Sequence, residues 1–297
     1  MSGSRLNTQD SASVDELSLP PPSVSHQVLR VQSGNCVLTD DEVIEEVPVA
    51  LVYNGISHAV MLASPTDLED FALGFSLGES ILTHARELYD LELHSSGDGI
   101  SIEMKIPPAR FMELKQRRRN LAGRTGCGLC GVDSLAHVSQ MPSERLSAPS
   151  WKLSVEAVAE GLRQIPHWQT LRQQTGSAHG AAWVDCQGNV LCLREDVGRH
   201  NALDKLVGAL AQQDKLRQDG FALITSRASY EMVQKAARAG ISTLVAVSAP
   251  TALAIRQAEA AGILLVGFAR IGQLVAYSCT NRLGFPTVEA TSDQSLL

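Results

Sequence analysis

The chain has 297 residues, enough to bury a sizeable core and to hold one large or two smaller domains. Its 32 acidic residues against 25 Lys and Arg give a net charge of −7, which argues against nucleic-acid binding over the whole surface but leaves room for a local basic pocket. No stretch approaches the roughly 20 apolar residues of a membrane span, and the N-terminus lacks a basic segment followed by an apolar run, so a cytoplasmic protein with no membrane or nucleic-acid partner is expected.

Residues 1–26 are rich in Ser and Pro, including Pro20-Pro21-Pro22, and read as a disordered tail. Residues 28–38 and 47–53 are β-rich, Asn54-Gly55 is a hairpin turn signal, and residues 59–63 make the return strand. Ser64-Pro65-Thr66-Asp67 opens a helix, with Ser64 or Thr66 as candidate cap and Leu68, Phe71, Ala72, Phe75 and Ile81 on roughly one face. Strands over 87–94 and 100–106 flank Ser95-Ser96-Gly97-Asp98-Gly99, and Pro107-Pro108 begins a helix through Arg119. Residues 27–120 therefore read as a small α+β domain.

Residues 121–150 read as a mobile loop containing Arg124-Thr125-Gly126-Cys127-Gly128-Leu129-Cys130-Gly131. Beyond it the pattern changes. A helix spans 155–164, and strands over 181–185 and 190–194 flank Gln187-Gly188-Asn189. Then follow a helix (201–212), a strand (221–225), a helix (229–239), a strand (243–248), a helix (252–261), a strand (264–268) and a last strand (273–278). Alternating strands and short helices over 151–290 imply an α/β domain with a substantially parallel or mixed sheet and helices on both faces. Ligands of such sheets bind beyond the carboxyl ends of the strands.

Those ends are chemically crowded. They carry Arg194-Glu195-Asp196-Val197-Gly198-Arg199-His200-Asn201, Thr225-Ser226-Arg227-Ala228-Ser229, Ser248-Ala249-Pro250-Thr251 and Gly267-Phe268-Ala269-Arg270-Ile271-Gly272. Hydroxyls, glycines and arginines at helix N-termini suit an anion, so a phosphate-bearing ligand of nucleotide type is expected. Taken singly, each end is more often a helix cap or a structural ion pair; four in one sheet favour a site. His179 and His200 read as ordinary polar histidines. The spacing of Glu195, Asp196 and Asp204 does not separate catalysis from capping, so none receives a catalytic role.

Cys127 and Cys130 are wrapped in glycine, the residue that loses most conformational freedom on folding, which makes them poor core material. Arg117, Arg118, Arg119 and Arg124 lie just upstream, and cationic neighbours favour the reactive thiolate. A zinc or iron–sulfur site would need a second ligand pair at suitable spacing, and Cys186, Cys192 and the isolated Cys279 do not supply one, so no metal is assigned. A thioredoxin-like pair belongs at a strand-to-helix junction rather than in a glycine-rich linker. A third reading is a sulfur relay, in which a nucleophilic thiol on a mobile loop serves two partners. Cys36, Cys186, Cys192 and Cys279 lie on apolar segments and read as packing residues.

From about residue 48 to 282 the chain resembles the formate dehydrogenase accessory sulfurtransferases, the FdhD family. The resemblance rests on the order of separate blocks. They are Val47-Pro48-Val49-Ala50-Leu51-Val52-Tyr53-Asn54-Gly55, Asp67-Leu68-Glu69-Asp70-Phe71-Ala72-Leu73-Gly74-Phe75 and Cys127-Gly128-Leu129-Cys130-Gly131. After them come Arg194-Glu195-Asp196-Val197-Gly198-Arg199-His200-Asn201-Ala202-Leu203-Asp204-Lys205 and Ser226-Arg227-Ala228-Ser229-Tyr230-Glu231-Met232.

The resemblance implies a cytoplasmic sulfurtransferase that takes sulfur from a cysteine desulfurase. It passes the sulfur to the molybdenum bis-guanine-dinucleotide cofactor of formate dehydrogenase. It places the persulfide on Cys127, with Cys130 assisting, and maps the family's cofactor-binding segment onto Phe268-Ala269-Arg270-Ile271-Gly272-Gln273. Arg227 and Ser229 are the further phosphate and guanine candidates. A homodimer and a cytidine-deaminase-like three-layer mixed sheet are implied too. A zinc deaminase, however, needs H-x-E followed by P-C-x-x-C. Here His179-Gly180-Ala181 lacks the acid, and the C-x-x-C lies upstream without a preceding proline. Gln273 stands where the family pattern has a basic residue, and Ser278-Cys279-Thr280-Asn281 replaces a Thr-His-Pro-type ending. The rival expectation is a non-catalytic chaperone that binds the molybdenum cofactor without moving sulfur.

Overall fold

The computed structural model describes residues 19–122, 145–216 and 218–284, with side chains through residue 117 in the first stretch. Order begins earlier than expected. β1 (Ser23–Gln32) and β2 (Asn35–Ile44) form an antiparallel hairpin. Ser33 and Gly34, with φ of 51° and 83°, make the two-residue turn between them, where a single β-rich run was expected over 28–38. Two successive positive φ angles match the strand twist, and Ser-Gly supplies them with less signal than Asn-Gly. Residues 23–26 of the expected tail thus belong to β1.

β3 (Val47–Tyr53) and β4 (Ile56–Ala63) meet at Asn54 and Gly55, the expected hairpin. With β5 (Asp90–Ser96) and β6 (Gly99–Lys105) they make a four-stranded sheet, ordered β4-β3-β6-β5, in which β3 and β6 run parallel. α1 (Leu68–Gly78) packs on it, and Tyr53 and Ser76 share a buried hydroxyl hydrogen bond of 2.8 Å. Neither expected cap serves α1; Asp67 occupies the N-cap in the left-handed region with no side-chain bond. Ser64 is instead drawn into a buried joint with the second half. α2 (Pro108–Ala122) leads toward the C-x-x-C.

The second half opens with α3 (Val155–Trp168) and α4 (Thr170–Thr175), then β7 (His179–Val184) and β8 (Val190–Asp196). α5 (Arg199–Gln212), β9 (Phe221–Ile224), α6 (Tyr230–Arg238) and β10 (Thr243–Ala246) follow. α7 (Ala252–Ala261), β11 (Leu264–Arg270) and β12 (Gln273–Ala276) complete it. The six strands are ordered β12-β11-β10-β9-β7-β8. β9, β10 and β11 are mutually parallel, whereas β7 and β12 run antiparallel to their neighbours. The fold is therefore a mixed α/β architecture with several sheets.

Side chains alternate along each strand and divide the core. Ala182, Val184, Leu223, Val245 and Val266 pack with Val158 and Ile165 of α3. Ala181, Trp183, Ala222, Ile224, Leu244 and Leu265 pack with residues of α5, α6 and α7. That second cluster continues through α1 into β3 and β6, so the two expected domains share one apolar core. Their seam is the α1–α5 crossing. A Cβ on Gly74 would sit 1.7 Å from the Asp204 carbonyl oxygen, and one on Gly208 would sit 1.9 Å from that of Asp70. Only glycine permits this backbone approach. Among the described residues no helix is long and apolar enough to cross a membrane.

Candidate functional site

One end of the six-stranded sheet gathers most of the residues singled out from the sequence. Loops leaving β9, β10 and β11 are tied together there by backbone bonds. Val247 N–H donates to Ile224 O at 2.9 Å, Thr251 N–H to Ala228 O at 3.1 Å and Phe268 N–H to Ser248 O at 3.2 Å. β7 is antiparallel, so its start reaches the same rim, where Gly180 N–H donates to Thr225 Oγ1 at 2.9 Å. His179 pairs in register with Asp196 at the end of β8.

On this rim Arg227 is exposed and makes no side-chain hydrogen bond among the described residues. Ser229 is half-buried at the N-cap of α6, but its hydroxyl caps nothing; it lies 3.4 Å from His200 Nε2. Phe268 is 44% exposed and Ile271 61%. Gly272 and Phe268 both have positive φ, which throws the segment outward before Gln273 starts β12. Ala269 is fully buried in the core, its backbone included, and its carbonyl is taken by Arg270. Arg270 folds back, with Nη1 donating to the carbonyls of Val247 and Ala269. Gly267 accommodates the crowding: a Cβ there would sit 2.7 Å from Pro250 Cδ and 3.0 Å from the Tyr277 ring.

The block from Arg194 to Lys205 divides between two tasks. Most of it is a buried joint. Lys205 Nζ lies 2.7 Å from Asp196 Oδ2, and both side chains are fully buried. Asp196 also accepts from Ser64 N–H at 2.9 Å, Gly198 N–H at 2.7 Å and Asn201 Nδ2 at 2.9 Å. Ser64 Oγ in turn accepts from Val197 N–H at 3.0 Å. Glu195 accepts from Leu171 and Arg172 N–H at 2.7 and 2.9 Å, closing the first turn of α4, and burial pushes its carboxyl up. Arg194 turns away from the rim to Asp70, 2.7 Å, and Asp67, 3.4 Å. It is therefore not one of the arginines expected at the strand ends. Lys235 bridges Asp204 and Glu79, each at 2.9 Å. Burial pushes Asp204 up to about 6 despite that lysine.

The remainder of the block faces the rim. Arg199 is half-buried, and its Nε lacks a hydrogen-bond partner among the described residues. His179 is half-buried, and its pKa is lowered by burial, then by Arg199 and Arg172. His200 Nε2 lies 2.8 Å from Glu231 Oε2, with 28% and 41% of the side chains exposed. That pairing was not foreseen. It joins residues of two separate sequence blocks, and nothing in a linear reading brings position 200 to position 231.

Cys127 and Cys130 lie outside the described residues. Of the other four cysteines only Cys192 is buried, and burial pushes its thiol up. Cys36 is exposed on the β1–β2 hairpin, contrary to the packing role expected for it, because the unforeseen turn projects that strand into solvent. No group of three or more His, Cys, Asp and Glu suited to a metal ion occurs among the described residues.

The model of the FdhD/NarQ family matches residues 44–284. The sulfur carrier protein FdhD of Cupriavidus necator is 54% identical over 264 residues, covering 89% of this chain and 91% of that protein. That of Xanthomonas euvesicatoria pv. vesicatoria is 51% identical over 266 residues, covering 90% and 94%. The crystal structure of a candidate formate dehydrogenase accessory protein from Desulfotalea psychrophila superposes with a TM-score of 0.68 at 23% identity, covering 89% of this chain and all of that one, a likeness of fold. With a family model spanning most of its length and two relatives at half identity or better, this chain belongs to the FdhD/NarQ family.

Proposed function

We propose that this protein is a sulfur carrier required for formate dehydrogenase activity. In this reading it accepts sulfur from a cysteine desulfurase as a persulfide on Cys127. It delivers that sulfur to the molybdenum bis-guanine-dinucleotide cofactor before the cofactor enters formate dehydrogenase, which makes it a sulfurtransferase acting in the cytoplasm. The observation that carries the reading is the convergence of three strand ends on one rim, in a chain half identical to named sulfur carriers. Exposed Arg227, Ser229 at the N-cap of α6 and the exposed positions of the segment from Phe268 through Gln273 suit a phosphate-bearing guanine ligand, which is substrate here. Helices on both faces of the mixed sheet support a cytidine-deaminase-like description of the second half.

Cys127 is the nucleophile of this scheme and Cys130 its helper. A homodimer is part of the same proposal. The test is mass spectrometry after incubation with a cysteine desulfurase and cysteine. A gain of one sulfur, lost in Cys127→Ala, is the expected result. Cofactor binding without any sulfur gain would replace this reading with the chaperone.

A further inference from the structure

Arg199 opens α5 and is half-buried, yet its guanidinium makes no hydrogen bond and no ion pair among the described residues. A guanidinium carries five N–H donors and cannot shed its charge, so leaving it partly desolvated and unpaired is unfavourable. The acids close to it in the fold are committed elsewhere. Asp196 holds Lys205 at 2.7 Å, Glu195 accepts from the N–H groups of Leu171 and Arg172 at 2.7 and 2.9 Å, and Glu231 holds His200 at 2.8 Å.

Other donors gather at the same corner. His179 begins β7 and pairs in register with Asp196 at the end of β8, just before Arg199. Its ring is half-buried and makes no hydrogen bond among the described residues. Arg172 Nη1 donates to Ala178 O at 3.1 Å, which places that guanidinium beside His179. The charged groups acting on His179 are Arg199, Arg172, Asp196 and His200; burial comes first, then the two arginines, and together they hold its pKa down. α5 is 14 residues long, its N-cap is Gly198 with no side chain to cap it, and its first turn carries no acidic residue. The positive end of its dipole therefore faces this corner without a carboxylate of its own first turn.

We propose that this corner, at the start of β7 and the end of β8, is a second anion site of the rim and takes a phosphate group, with Arg199 as principal ligand and His179 and Arg172 flanking it. In the order β11-β10-β9-β7-β8 the start of β7 lies three strand spacings, roughly 14 Å, from the end of β11, so the corner is separate from the segment Phe268–Gln273. Phosphate suits it because two guanidiniums, an imidazole and a helix start offer more donors than the two oxygens of a carboxylate use. The guanine-dinucleotide reading above supplies one source of that phosphate, and free phosphate is the other.

The test is isothermal titration of the full chain with inorganic phosphate, GDP and guanosine, for wild type, Arg199→Gln and Arg199→Lys, with thermal unfolding alongside. GDP is the probe because it is the nucleotide part of a guanine-dinucleotide ligand. Arg199→Gln is expected to bind phosphate on the order of 10- to 100-fold more weakly, with Arg199→Lys between it and wild type. Guanosine affinity should not change, and the melting temperature should not fall, since Arg199 has no partner in the fold to lose. An equal loss of GDP affinity assigns the phosphate to the nucleotide, whereas wild-type GDP affinity with weakened phosphate binding assigns the corner to free phosphate; both support the site. The titration of His179, followed by NMR, should move upward on saturation with phosphate, because a bound anion favours the imidazolium. Phosphate and GDP affinities equal to wild type in Arg199→Gln overturn the proposal, as does an unmoved His179 titration or a melting temperature lowered alike in both variants. Wild type that binds phosphate but not GDP removes the guanine-nucleotide reading and leaves the site; wild type that binds neither overturns both. Sulfur uptake is not measured, so the persulfide reading stands or falls separately.

Discussion

Lys205 Nζ lies 2.7 Å from Asp196 Oδ2, and neither side chain reaches solvent. The pair clamps the strand end of β8 to the segment Ser64–Thr66, since Lys205 also donates to Ser64 O at 3.1 Å and Thr66 Oγ1 at 3.4 Å. Removing one partner strands the other charge in a dry joint. Lys205→Met is therefore expected to cost about 3–5 kcal/mol, a large share of the stability of an ordinary domain. Arg30→Ala, which breaks the exposed Arg30–Asp41 pair, is expected to cost under about 1 kcal/mol. Urea midpoints decide; equal losses in the two variants would refute the argument.

The α1–α5 seam makes a second prediction. A methyl on Gly208 would point into the Asp70 carbonyl at 1.9 Å, where only backbone movement can relieve it. Gly208→Ala is expected to destabilise by about 3 kcal/mol or more, at the upper end of overpacking. Gly97, with open space around it, should accept Ala with little change in melting temperature.

A third prediction concerns pH. Burial pushes Asp204 up to about 6, from an ordinary 3.8. Between those values the folded protein binds this proton more tightly than the unfolded chain does. The contribution of Asp204 to stability is therefore fully present below about pH 4, is lost as pH rises toward about 6, and is level above that. Glu79 and Glu231, both held low, act in the opposite sense, so the comparison must be against Asp204→Asn. The difference in unfolding free energy between the two proteins should change by up to about 1.4 kcal/mol per pH unit across that window. A constant difference would contradict the assignment.

The rim supplies a fourth. Arg227 is exposed and uncommitted to the fold, so Arg227→Ala should leave the melting temperature unchanged. It should weaken GDP binding by about 1.5–3 kcal/mol, the usual worth of a hydrogen bond to a charged group. Isothermal titration separates this from the null result of unchanged affinity.

The cysteines divide by environment. Cys36→Ala should load sulfur as wild type does, and Cys192→Ala should lose stability rather than loading, because burial keeps that thiol protonated. Cys127→Ala should abolish loading. Sulfur gained on Cys36 rather than Cys127 would count against the carrier scheme.

Periodicity and turn chemistry carried most of the second half. Strands and helices follow one another from residue 155 onward as expected, apart from the unforeseen α4, with boundaries displaced by a few residues. The Asn54-Gly55 hairpin was legible because its turn residues tolerate positive φ. The β1–β2 hairpin was not, because Ser33-Gly34 interrupts a run that is otherwise uniformly β-forming.

The chain alone determined which residue types crowd the strand ends, and it determined the blocks that mark the family, since both depend on local order. Tertiary structure decided what each residue does there. Arg194, Asp196 and Lys205 share a block with His200, yet close packing against α1 and the Ser64–Thr66 segment drew the first three into a buried joint. His200 was left on the rim to meet Glu231 from another block. The division between joint and site depends on which side chains lose water when the two halves close. That is a matter of three-dimensional burial, and spacing along the chain does not encode it.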